Sequence, residues 1–140
     1  MKKEKFIALA NAIGASDMAE KVLPMLEKQM ECIVDYVKAV YMMDIQIQIM
    51  NARTMDKDEA IEKLHDLDVK RRRYHDAAIA ALSVCNKMSE RFGAAPIYDG
   101  DMDDRHEVAD FCGDFVKEVF DSATNASYSP KTILEKLLEG

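Results

Sequence analysis

Three cysteines, Cys32, Cys85 and Cys112, are all that the 140-residue chain contains, and they stand far apart with no C-x-x-C pairing. An odd, dispersed set excludes a disulfide framework and offers no zinc-ligand spacing. Each lies among apolar neighbours in what reads as a separate helix, which marks it as a buried thiol rather than a nucleophile. No catalytic triad can be assembled around them. A long uncharged hydrophobic run is also missing. The most apolar stretch, residues 32–50, contains Asp35, Lys38, Asp44 and two glutamines, which excludes a membrane span. The opening "MKKEKFIALANAIGASD" imitates a signal peptide, but Glu4 and Asn11 interrupt it, and an amphipathic helix explains it as well. A cytoplasmic protein is expected. Internal repeats are absent, and "SATNASYS" at residues 122–129 is the only low-complexity stretch.

A sustained basic face is lacking too. "VKRRRYHDAA", residues 69–78, places four cations in a row, yet residues 56–92 hold eight Lys or Arg and eight Asp or Glu. Nucleic-acid binding needs an unbalanced basic surface, so it is not expected. Residues 1–55 balance at seven of each sign, while residues 93–140 carry four cations and eleven carboxylates, which accounts for the net charge of −7. Basic run and acid-rich segment can satisfy each other, so Arg71, Arg72 and Arg73 are expected to pair with carboxylates from residues 99–121, Glu118 and Asp121 among them, within the chain or across a dimer.

What is present is helical periodicity. Hydrophobic residues make up 49% and charged residues 32% of the chain, too apolar for disorder and too charged for a membrane protein. The spacing predicts a short helix over 3–13 closed by Gly14, then a second opened by an Asp17–Glu20 capping box with Pro24 in its early turns. Leu23, Leu26, Met30, Ile33, Val37 and Val40 form its buried stripe. "DIQIQIMN", residues 44–51, alternates like a strand but has no pairing partner, so it reads as a continuation of the helix with isoleucine on several faces. A third helix should run from an Asp56–Glu59 box to Phe92 with Gly93 as its cap, and a fourth from Asp104–Glu107 to about Asp121. Ser129 and Pro130 would open a terminal helix. The expectation is an all-α bundle of four to five helices, two of them long, forming one domain over residues 1–140.

Candidate sites are few. His75-Asp76 matches the dipeptide of metal-dependent phosphohydrolases, but His65 lies ten residues earlier on the same helix, about 15 Å away, too far to share a metal. Glu62-x-x-His65 has di-iron spacing without a proper second copy, since Asp103-x-x-His106 supplies the wrong acid. Asp99, Asp101 and Asp103 imitate a calcium loop, although Asp104 stands where the turn requires glycine; a divalent metal there is one alternative. Another is a polar pocket of Asp68, Arg72, His75, Asn86 and Arg105 holding a phosphorylated metabolite, because polar residues interrupting a buried-looking stripe must find partners.

"RRRYHDAAIAALSVCNKM" and "GDMDDRHEVADFCGDFVKEVF", within residues 69–121, resemble a family of small uncharacterised bacterial proteins classed as a domain of unknown function. The resemblance implies a small all-helical bacterial protein and assigns no functional residue. The sequence favours a protein-interaction or regulatory module over an enzyme, with no cofactor. Two helices of about 35 residues would extend some 50 Å, longer than a domain of this size is wide. A homodimer through the methionine- and isoleucine-rich half around residues 30–50, alongside a possible protein partner, is therefore expected.

Overall fold

The computed structural model describes residues 1–53, 55–120 and 132–139. Five helices follow in order, α1 (Lys2–Gly14), α2 (Ala19–Asn51), α3 (Lys57–Phe92), α4 (Arg105–Phe120) and α5 (Ile133–Leu138), with no strand among the described residues. The fold is an all-α bundle, as expected. The segment 44–51 continues α2 as a helix. No helix among the described residues is long and apolar enough to cross a membrane.

The predicted boundaries of α3 are met. Asp56 accepts a hydrogen bond from the Glu59 amide at 3.2 Å, and Gly93 takes the left-handed conformation (φ 72°) that a side chain would resist. Asp104 likewise opens α4, accepting from the amides of His106 and Glu107 at 3.1 and 3.2 Å. The turn between α1 and α2 departs from expectation. Gly14 is the last helical residue and Ala15 caps α1 in an ordinary right-handed conformation, while α2 starts after Met18 with no side-chain cap. Ser16 replaces both predicted devices: its hydroxyl donates to the Ile13 carbonyl at 2.6 Å and accepts from the Met18 amide at 3.3 Å. The last helix begins at Ile133 under a Thr132 cap, whose hydroxyl accepts from the Glu135 amide at 3.1 Å. Ser129 and Pro130 lie outside the described residues.

The hydrophobic core draws on every helix. Leu26, Met30 and Ile33 of the predicted α2 stripe are fully buried. They meet Phe6, Leu9 and Ile13 from α1, and Val108, Cys112 and Phe115 from α4. Phe6 and Phe115 stack with ring centroids 4.2 Å apart. On α3 the core positions are small, Ala78, Ala81 and Cys85 around Leu82, which lets the neighbouring backbones approach closely. The connector after α3 is clamped by Asn86. Its amide donates to the Tyr98 carbonyl at 2.7 Å and its carbonyl oxygen accepts from the Ile97 and Tyr98 amides at 2.9 and 3.0 Å. This seats Ile97 and Tyr98 in the core.

The core stops partway along the two long helices. Val40 is the last α2 residue and Tyr74 the first α3 residue that belongs to it or packs against it. Beyond them, residues 41–51 of α2 and 57–73 of α3 run on as an antiparallel two-helix arm. Among the arm's described residues only Gln46 and Ala60 are buried. The Gln46 side-chain amide reaches the Ala60 carbonyl at 3.5 Å and the Met55 sulfur at 3.4 Å, while Ile47, one residue on, faces outward at 40% exposure. Alternation in "DIQIQIMN" thus meets a 100° helical step, and Gln46, not Ile47, faces α3.

Asn86→Ala should destabilise the chain by about 1–3 kcal/mol, because it strands two amides and a carbonyl of the connector. Urea unfolding would measure it, and a loss within about 0.5 kcal/mol would show that the clamp is dispensable.

Candidate functional site

At the base of the arm α3 carries a cluster of charged and polar groups. Asp68 accepts from Arg71 (Nη2 at 2.8 Å, Nε at 3.3 Å) and from Arg72 Nη2 at 3.0 Å. Helical spacing creates this fork, since positions three and four residues on lie over the same face. The hydrogen bond from Arg71, with both guanidinium charges behind it, holds the Asp68 carboxyl below the usual carboxylate range. Arg71 also meets the phenol of Tyr36 on α2, a residue only 2% exposed. Burial raises the Tyr36 pKa, and the cations Arg71 and Arg105 pull it part of the way back. The His75 ring is set edge-on to Tyr36, with centroids 5.4 Å apart. Its Nδ1 lies 3.5 Å from Asp76, and its buried Nε2 has no hydrogen-bond partner among the described residues.

Of the five residues predicted to form a polar pocket, His75 packs edge-on against Tyr36, Arg105 acts on its phenol through charge, Asp68 and Arg72 pair with each other on α3, and Asn86 stands apart. Asn86 is occupied by the connector backbone. Tyr36 was missed because it sits among the apolar residues of "CIVDYVKAV"; its spacing of three from Ile33 was the available signal. The arginines find partners other than those expected. Arg71 and Arg72 converge on Asp68 of their own helix, Arg73 is exposed, and Glu118 accepts from the Lys2 and Lys3 amides at 3.3 and 2.8 Å. The reason is packing: α4 lies against α1 and α2 and does not fold back along α3. Glu118 thereby satisfies the open amides at the start of α1. Asp121 lies outside the described residues.

The acidic connector is committed to backbone geometry. Asp101 accepts from the Asp103 amide at 2.9 Å, and the Glu107 carboxylate reaches the Asp101 amide at 3.4 Å. Asp99 borders a hollow of about 340 Å³ together with Lys2, Lys5 and Asp114. Among the described residues no three His, Cys, Asp or Glu side chains are grouped to hold a metal ion. Burial pushes the thiols of Cys85 and Cys112 up to about 12; half-buried Cys32 is raised by burial and by Asp35 and Glu31. None has the electropositive setting of a reactive thiolate.

The arm is the other candidate site. Met42 (45% exposed) and Ile47 on α2, with Ile61 (48%) and Val69 (39%) on α3, are all exposed. A groove of about 240 Å³ opens between the two helices at the arm's base, lined by Ala39, Met42, Leu67 and Tyr74 with Asp35 and Lys70 at its rim. Within the expected dimer stretch 30–50, Met30, Ile33, Val34 and Tyr36 are buried in the chain's own core. Free apolar surface is thus displaced toward residues 42–69.

A family model described as "Protein of unknown function (DUF3232)" matches residues 2–125. The chain belongs to this family. The DUF3232 match covers α1 to α4, and so the Tyr36 cluster and the whole arm, well beyond the 69–121 stretch that carries the resemblance in the sequence. No curated protein and no solved structure matches the chain.

Because Asp68 has a lowered pKa when folded, its ionic contribution is fully present above the ordinary carboxylate value near 3.8 and is lost as pH falls through the native value below it. Asp68→Asn should therefore be less stable than the wild type at neutral pH, and the gap should close as the medium is acidified past pH ~4. Urea midpoints taken from neutral pH to pH ~3 test this; a gap of constant size would remove Asp68 from the pH dependence.

Proposed function

We propose that this DUF3232 protein is a protein-interaction module that acts as a homodimer through its two-helix arm. One observation carries the reading: residues 41–51 and 57–73 leave the core as a pair of helices with no third layer among the described residues, and both present exposed apolar side chains. A helix with apolar residues on more than one side calls for more than one neighbour. Among the described residues each helix of this arm has one. Covering a large aliphatic side chain contributes roughly 1.5–3 kcal/mol when burial is complete, so Met42, Ile47, Ile61 and Val69 together offer a substantial driving force for association. A second copy supplies the missing layer with the same helices, turning two pairs into a four-helix arrangement.

The reading also accounts for the chemistry at the base of the arm. Asp68 is saturated by its own arginines, and Tyr36 and His75 pack against each other. Such a cluster ties α2 to α3 where the arm leaves the body.

Sedimentation equilibrium should give the mass of a dimer at micromolar concentration. Ile61→Glu combined with Val69→Glu should shift it to monomer while leaving the helical circular-dichroism signal intact. A wild type that stays monomeric up to about 100 µM, where even a weak interface would be populated, contradicts the reading.

A further inference from the structure

Along α3, five exposed residues share one face: Asp58, Ile61, His65, Val69 and Arg72. At 100° per residue all of them fall within about 40° of His65. Ala60, buried, and Leu67, in the groove beside Met42, mark the opposite side, the one turned to α2. The stripe therefore points away from the arm's own partner helix. It is also a charge palindrome. Asp58 stands seven residues before His65 and Arg72 seven after; Ile61 stands four before and Val69 four after.

Resting on the homodimer reading above, we infer that two copies join antiparallel, α3 against α3, about a two-fold axis passing at His65. In that register each Asp58 carboxylate meets Arg72 of the second copy. Each Ile61 covers Val69 of the second copy, and the two His65 side chains meet on the axis. Every contact occurs twice, as an isologous interface requires. The flanks agree with the stripe. Residues 57–62 carry three carboxylates and one lysine, and residues 68–73, which they face, carry four cations and one carboxylate. That single carboxylate is Asp68, already answered by Arg71 and Arg72 of its own chain. Arg72 keeps 67% of its side chain exposed despite that contact, so it has donors left for a second acid. Planar guanidinium suits such a double engagement. A parallel arrangement would set the acidic tips together and the basic runs together, which like-charge repulsion opposes. The palindromic stretch spans about 21 Å of helix. The occupant is thus a second copy of this chain, selected by self-complementary charge, rather than a different protein.

The test uses the full chain. Asp58→Arg and Arg72→Asp, each alone, should raise the dimer dissociation constant at least tenfold, because each sets like charges opposite one another twice per dimer. Mixing the two variants should restore dimerisation as a heterodimer, in which both ion pairs re-form; native mass spectrometry separates the three species by mass. In a Cys32→Ser background, His65→Cys should give a disulfide-linked dimer under copper-phenanthroline oxidation, while Asp66→Cys, about 100° round the helix, should not. The cross-link reads the register even if a charge variant fails to fold. A dimeric wild type whose association survives both substitutions, with no cross-link at position 65, overturns the antiparallel α3 register and leaves the homodimer reading standing. A wild type monomeric at every concentration overturns both.

Discussion

Helices of unequal length have to share one core, and most features of this molecule follow from that mismatch. α2 and α3 contain 33 and 36 residues, whereas α1, α4 and α5 contain 13, 16 and 6. At 1.5 Å per residue the long pair reaches about 50 Å and the longest of its companions about 24 Å. Among the described residues coverage ends near Val40 and Tyr74, and over the remaining length they set one helix against one. A two-helix pair can bury only the strip where the helices touch, which is why Ala60 and Gln46 are covered and Ile47 and Ile61 are not. The composition of the arm is therefore poorly matched to water on one side and poorly matched to a core on the other.

Polar groups mark the place where the core gives way to the arm. Tyr36 is the last large ring that α2 buries, and its phenol is met by Arg71 rather than by solvent alone. Burying a hydroxyl without a partner would cost about 1–3 kcal/mol, a cost that Arg71 of the facing helix offsets. Asp68 then restrains Arg71 and Arg72 on one side of α3. His75 completes the junction by setting its ring edge-on to Tyr36, at the expense of a ring nitrogen left unpartnered among the described residues. The basic run of α3 is thus partly framework, with one of its arginines, Arg72, still largely exposed.

Features governed by a few neighbouring residues were legible before the structure: the Asp56 and Asp104 caps, the left-handed Gly93, the stripe through Leu26, Met30 and Ile33, and the helical state of residues 44–51. Each is a short-range signal that little else in the fold contests. Two local readings lost to a competitor three residues away or fewer. Gly14 and the Asp17–Glu20 pair carry the right residue types, but the Ser16 hydroxyl had already closed the turn. Long-range packing was not legible. Nothing in α4 says that it lies on α1 and α2 instead of along α3, so Glu118 was assigned to the arginines when it caps α1. Asn86 looked like a pocket residue because a polar group on an apolar face must have a partner; that partner was the connector backbone. The palindrome about His65 was present in the sequence throughout, yet it acquires meaning only once the body is seen to stop short of it.

Amide hydrogen exchange measured at two protein concentrations tests most directly whether the arm is incomplete in a single chain. Amides of the body, in α1, α4 and residues 22–40 and 74–92, should exchange at rates independent of concentration, because one chain completes that core. Amides of residues 41–51 and 57–73 should be protected more strongly at high concentration than at low, by the factor that association adds. Equal protection of the arm at both concentrations, under conditions spanning about a hundredfold dilution into the nanomolar range, would show that two helices suffice and that the arm has no need of a partner.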